Sequence, residues 1–251
     1  MSLEQSFIIG ELCIHQSIIQ FKEIVMLQGK SNKLKVAVIG LGNIGNAVAA
    51  NLAKGNRPVI VADRKIEKAK ELSQKLGKLV QPMEIPAAIK EADIIVFAIW
   101  FDAIKELLNK YAAELQGKII VDPSNPIAPD DKGGFRKIVG EDESAGEILS
   151  ALLPENAKLS KALGTLGVAS LAGAAFQKPL AAVLFYATDD TSINADIEEL
   201  IRDNGFEPVG VGGIDQSIRI EVFGDLHEFG ALGKTVTLAE AKEKVGDVSV
   251  A

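Results

Sequence analysis

The sequence predicts an α/β protein with a doubly wound, mainly parallel sheet and an α/β C-terminal extension, and three observations carry that expectation. Short runs rich in Val and Ile, such as residues 35–40, end on glycine or aspartate and alternate with helical stretches. Such runs suit strands buried on both faces of a parallel sheet. The connections are short, as crossover helices packed on both faces require. The first run also leads straight into a glycine-rich turn at a helix start.

Each element can be justified in order. Residues 1–32 stand apart: Phe7, Ile8, Ile9, Leu12, Ile14, Ile18, Ile19 and Phe21 form a loose helical stripe interrupted by Glu11, Lys22 and Glu23. This reads as a frayed extension, an upstream start with Met26 as the alternative, or a tag remnant; a partner-docking helix is the other reading. Strand 35–40 is followed by a helix from about Asn43 to Lys54, a strand at 58–63 and a helix at 65–77 closed by Gly77. A short segment around Leu79, a helical stretch at 86–92, a strand at 93–99, a helix at 101–115 and a strand at 118–124 come next. The Gly-, Pro- and Asp-rich residues 123–134 leave the carboxyl end of a strand and read as an active-site loop. A helix at 144–154, strands at 157–163 and 179–188, a helix capped by Asp189 or Asp190, a strand at 207–213 and a last helix from about Asp215 to Leu232 complete the chain. The expected organisation is an extension (1–32), a nucleotide-binding domain (33–165) and a smaller α/β part (166–251) that completes the substrate site.

Composition narrows the function. A net charge of −7 argues against nucleic acid or an anionic membrane as the main partner. One cysteine, Cys13, excludes an internal disulfide, and two histidines, His15 and His227, make a clustered metal centre unexpected. No apolar run reaches the roughly 18 residues that span a bilayer. The N-terminus shows no basic region before its apolar stretch. A cytoplasmic location and a homodimer acting on a small molecule are the expectations.

The sharpest motif is Gly40-Leu41-Gly42-Asn43-Ile44-Gly45. In this pattern Gly40 makes the tight turn, Gly42 lets a pyrophosphate approach the backbone, and Gly45 lets the helix pack on the strand. The helix N-terminus then favours the anion. Asp63 ends the second strand, eighteen residues past Gly45, as a Rossmann-type dinucleotide fold requires. Asp63 suits a ribose 2′-hydroxyl and hence NAD; Arg64, Lys65 and Lys68 suit a 2′-phosphate, and the balance favours NADP.

Further segments carry a family likeness: residues 38–49, 63–69, 92–100, 121–126, 143–171 and 203–214. Together they resemble the NADPH-dependent coenzyme F420 reductases, relatives of the cytoplasmic domain of the STEAP metalloreductases. The resemblance implies hydride transfer between a nicotinamide and a deazaflavin (F420) or flavin acceptor. It implies phosphates on the glycine turn, Arg64, Lys65 and Lys68 at the 2′-phosphate, and Ala98, Ile99 and Trp100 against the cofactor. It also places Ser124, Asn125 and Pro126 near the nicotinamide. The family motif of lysine, two residues and Asn-Thr or Asn-Val is here Lys161-Ala162-Leu163-Gly164-Thr165, with glycine replacing asparagine. Asp63 likewise replaces a small polar residue.

By the rule that ligands bind beyond the carboxyl ends of parallel strands, the segments 40–45, 98–100 and 123–126 should converge on one cleft. The nicotinamide is then expected between Trp100 and Asn125, with Lys161, Thr165 and Arg219 on the acceptor side. Trp100 reads either as a stacking or as a core residue, Asp122 as a loop-fixing acceptor before a base, and His227 as structural before catalytic. Lys161 has a solvated strand position as its alternative. Two other functions stay open, a reductase of small carbonyls or imines and a non-enzymatic NADP(H) sensor. The strands expected after Gly164 count against the helical substrate domain of the former.

Overall fold

The computed structural model describes residues 33–246; residues 1–32, and with them the reading of that extension, lie outside the described residues. From Lys35 onward the chain builds an eight-stranded sheet. Its first half is β1 (Val36–Ile39), α1 (Asn43–Lys54), β2 (Val59–Ala62), α2 (Ile66–Leu76), β3 (Val80–Pro82), α3 (Ile85–Glu91), β4 (Ile94–Phe97), α4 (Phe101–Lys110) and β5 (Ile119–Asp122). A small hairpin, β6 (Ile127–Pro129) with β7 (Phe135–Lys137), and α5 (Ala145–Ser150) precede β8 (Lys158–Ala162). Then come α6 (Val168–Gly173), β9 (Val183–Ala187), α7 (Asn194–Asp203), β10 (Glu207–Gly210), α8 (Ser217–Ile220) and α9 (Leu238–Val245).

The strand order is β10-β9-β8-β5-β4-β1-β2-β3. Every neighbouring pair is parallel except β8 with β9. The chain winds outward from β1 through β2 to β3, then returns to the other side of β1 with β4, which makes the β1/β4 boundary the switch point of a Rossmann-type fold. β1, β2, β4 and β5 are buried at every position, as continuous Val/Ile runs demand of a sheet covered on both faces. One core packs Ala37, Ile39, Ile95 and Phe97 against Ile104 and Leu108 of α4. A second gathers Val183 and Phe185 of β9 with Ile220, Leu226 and Leu232.

The halves of the sequence interlock away from the sheet as well. Asn51 of α1 donates to the Leu171 carbonyl at 2.9 Å and to Asn204 Oδ1 at 3.1 Å, while Asn204 donates to the Val48 carbonyl at 3.1 Å. These amides are buried, so each bond also removes a desolvation penalty of about 1–3 kcal/mol. Both outer strands contain a proline, Pro82 in β3 and Pro208 in β10.

Three expectations need correction. The last helix does not run from 215 to 232: a 3-10 turn, Ile214–Gln216, leads into α8, which stops at Ile220. Phe223 turns the chain with φ +75°, and a Cβ on Gly224 would lie 2.3 Å from the Arg219 carbonyl oxygen. So tight a return leaves no room for another helical turn. Helix 101–115 gives way to turns after Lys110, and the loop 123–134 folds after Asn125 into the β6–β7 hairpin. Among the described residues no helix is long and apolar enough to cross a membrane.

Candidate functional site

The carboxyl ends of β2, β1, β4, β5 and β8 open on one continuous cleft of about 880 Å³. These strands are consecutive in the sheet, so at about 4.8 Å per step the floor spans roughly 19 Å. The segments 40–44, 98–100 and 123–125 all line it, though they are distant in sequence.

At the switch point the glycine turn shows why three glycines stand there. Gly40 has φ +95°, and a Cβ would meet Ile99 Cγ2 at 2.3 Å and the Ala98 carbonyl oxygen at 2.5 Å. A Cβ on Gly45 would lie 1.9 Å from the Gly40 carbonyl oxygen, so α1 sits directly on the turn. At Gly42 a Cβ would meet nothing within 4 Å. Gly42 is the N-cap of α1 and offers no side-chain cap, which leaves the first-turn N–H groups facing the cleft without one. An anion fits that position.

Asp63, Arg64 and Lys68 line the cleft beyond β2. Asp63 braces the turn: Oδ2 accepts from the Leu41 N–H at 3.0 Å and Oδ1 from the Lys65 N–H at 3.1 Å. Lys65 itself is the N-cap of α2 and is not part of the lining.

On the other side, Ser124 and Asn125 line the cleft, whereas Pro126 is not part of the lining. Their loop hangs from a buried charge cluster. Asp122 and Lys161 are register partners on β5 and β8, and Lys161 Nζ lies 2.6 Å from Asp122 Oδ2. The same ammonium donates to the Ser124 carbonyl, and Glu221 Oε1 is 3.6 Å away. Glu221 accepts the Ala145 and Gly146 N–H groups, each at 3.0 Å; burial nevertheless pushes its carboxyl above the usual carboxylate range, against the Lys161 charge and those bonds. Asp122 Oδ1 accepts the Ser124 N–H at 2.7 Å, so Asp122 fixes the loop. Lys161 is only 2% exposed, which corrects both readings of it: it neither faces the cleft nor solvent.

Asn125 also has structural duties. Its Oδ1 accepts the Val222 N–H at 2.7 Å, and its Nδ2 approaches the Gly164 carbonyl at 3.4 Å. His227 donates to that carbonyl too. The Phe229 N–H occupies His227 Nδ1 at 2.9 Å, so the neutral ring carries its proton on Nε2, which lies 3.0 Å from the Gly164 oxygen. Burial lowers the His227 pKa to about 4. A Cβ on Gly164 would lie 2.5 Å from the Pro123 carbonyl oxygen, so the asparagine of the family motif has no room here.

Two further acceptor-side expectations are corrected. Arg219 pairs with Asp225 at 2.9 Å and takes no part in the lining. Thr165 is buried behind Gly164 and Leu166, its hydroxyl without a partner among the described residues. The structure adds what the sequence did not single out: Ile127, Phe135, Leu166, Val168, Val222, Phe223 and Phe229 wall this end. Trp100 is 61% exposed at the N-cap of α4, which excludes the core reading.

Residues 35–126 match the model of a family described as NADP oxidoreductase, coenzyme F420-dependent. The F420-dependent NADP reductase of Methanocaldococcus jannaschii is 30% identical over 139 residues, 51% of this chain and 61% of that protein, so less than two thirds of its length is spanned. A hypothetical protein of Sinorhizobium meliloti superposes with a TM-score of 0.72 at 27% identity, covering 84% of this chain and 98% of that one. A proposed F420-dependent NADP reductase of Arthrobacter sp. FB24 shares the fold, with a TM-score of 0.63 at 23% identity over 73% of this chain and 87% of the other. The segment that carries the glycine turn, Asp63, Trp100 and Asn125 thus bears the mark of the coenzyme F420-dependent NADP oxidoreductases, the likeness its motifs announced.

Proposed function

We propose that the protein is an NADP(H)-dependent oxidoreductase that passes a hydride between a nicotinamide cofactor and a deazaflavin- or flavin-type acceptor. One observation carries the reading: a single cleft has open space beside Gly42, cations at one end and an apolar wall at the other. Gly42, Asn43 and Ile44 would hold the pyrophosphate, and Arg64 with Lys68 the 2′-phosphate. When bound, the nicotinamide supplies the hydride. The protein's share is then to orient and to exclude water. Ser124 lines the cleft beside Asn125 and holds its hydroxyl turned away from solvent, without a partner among the described residues. The residues after 165 would complete the acceptor end through Leu166–Val168 and Val222–Phe229.

The acceptor wall favours a ring that needs no strong acid. Among the described residues, its one ionisable lining side chain is His227, which burial keeps neutral and whose ring nitrogens are both engaged, while Glu106 lines the cleft from α4. A carbonyl or imine would need a proton at the reacting atom.

Cofactor choice is tested by replacing Arg64 and Lys68 together with Ala. The NADPH dissociation constant should rise at least tenfold more than that for NADH, about 1.4 kcal/mol of selective loss. An equal loss for both cofactors would assign the ribose to Asp63 and the protein to NAD.

A further inference from the structure

Among the described residues, seven large apolar side chains are exposed, and five of them, Trp100, Phe135, Val168, Phe223 and Phe229, line this one cleft. Scattered apolar exposure is ordinary on a protein surface; a cluster on one rim marks a binding surface. The charges of the same cleft are distributed unevenly. Its lining cations, Arg64 and Lys68, both follow β2, at the far side of the glycine turn from β5 and β8. Among the described residues, no cation lines the end formed by 127, 135, 164–168 and 222–229. Arg136 succeeds Phe135 on β7, where neighbouring side chains take opposite faces, and it is absent from the lining. Lys161 below is neutralised by Asp122 and Glu221. The charge adjoining this end is negative: Glu228 accepts the N–H of the lining residue Gly167 at 2.6 Å and also the Ser170 hydroxyl.

We propose that this end of the cleft takes an uncharged, planar aromatic acceptor, held by stacking and apolar contact, and discriminates against acceptors that carry an anionic tail. The proposal rests on the hydride-transfer reading above and narrows its acceptor class. The acceptor gains a hydride, which comes from C4 of the reduced nicotinamide, and one proton from solvent. Two electrons pass, NADP+ is left, and no bond to the protein forms. Aromatic faces suit a flat ring, whereas a phosphate or carboxylate tail would lose hydration beside Glu228 without meeting a cation.

Riboflavin and FMN share one ring system and differ by a phosphate, so they isolate the charge. The chain has a single tryptophan, and it stands on the rim. Its fluorescence therefore reports acceptor binding without turnover. NADPH binding is measured first, from the cofactor's own emission. In the NADP+-loaded protein, riboflavin should quench Trp100 with a dissociation constant at least fivefold below that of FMN at low salt. NADPH oxidation should show the same order in kcat/KM. Phe229→Ala should raise the riboflavin KM roughly tenfold, the order of one stacking partner, with NADPH affinity unchanged. FMN binding as tightly as riboflavin and weakening with salt would reveal a cationic contact and overturn the proposal. Trp100 emission already blue-shifted and unresponsive to riboflavin would mean that another protein surface covers the rim, and would overturn it as well. A protein that does not bind NADPH loses the hydride-transfer reading itself; bound NADPH with the flavin order reversed removes this inference alone.

Discussion

A methyl group added at each of the three glycines of the turn would meet three different surroundings, and the contrast separates folding from binding. At Gly45 it would collide with the Gly40 carbonyl, and at Gly40 with Ile99 and Ala98. At Gly42 it would enter the open cleft from a backbone with φ −79°, which any residue adopts. Gly42→Ala should thus leave the urea midpoint unchanged while weakening NADPH binding tenfold or more, about 1.4 kcal/mol. Unchanged affinity in a stable variant would remove the phosphate from this turn. His227 gives a second residue-level expectation. Its pKa falls from 6.5 to about 4 on folding, so between those values the unfolded chain binds more protons. Its contribution to stability is complete above about pH 6.5 and is lost as pH falls toward 4, with a slope of up to about 1.4 kcal/mol per unit. Urea unfolding across that window should give His227→Gln a shallower pH dependence than the parent; equal slopes would mean that the ring is not held neutral.

At the level of elements, the Asp122–Lys161–Glu221 cluster shows what single-sequence reading reaches and what it misses. β1, β2, β4 and β5 were legible as buried runs, because a parallel sheet writes its burial as consecutive Val and Ile, whereas β8, with Lys158, Ser160 and Lys161 among its five residues, was legible as a strand but not as a buried one. The cluster was not legible, since Lys161 meets Asp122 only through the β5–β8 register and meets Glu221 only through the return after α8. Local pattern carries no register between strands 39 residues apart. The helix expected from Asp215 to Leu232 fails for a different reason: it would have run through Gly224 and Gly230, whose close crossing forbids a side chain at either. A signal for α9 did stand in the sequence, because Thr237 and Glu240 form a capping box. The glycine turn was legible because it is local, and of the three cations after β2 Arg64 and Lys68 line the cleft while Lys65 does not. The apolar wall was not legible, because four separate segments supply it. Lys161→Met should leave two buried carboxylates without their cation and cost about 3–5 kcal/mol in urea unfolding. A loss below about 1 kcal/mol would mean that the ion pair contributes little beyond the cost of burying it.

At the scale of the molecule, one sheet runs through both the cofactor-facing and the acceptor-facing sequence, and its two ends are the places where another sheet could attach. Parallel strands alternate the direction of their N–H groups. The Glu207 and Val211 N–H groups bond inward to Ala182 and Tyr186, and the Met83 N–H bonds inward to Val61. Pro208 and Pro82 therefore stand at outward positions, where the ring removes a donor without costing the sheet a bond. Each edge thus lacks one of the hydrogen-bond donors that an incoming strand would need. Replacing both with Thr should leave the fold intact and increase light scattering on heating; unchanged scattering would show that the flanking segments already guard the edges. A second copy of this chain that added a strand at either margin would therefore build a ladder one bond short, at Pro82 on one side and at Pro208 on the other, which makes extension of the sheet the least favoured way for two copies to join.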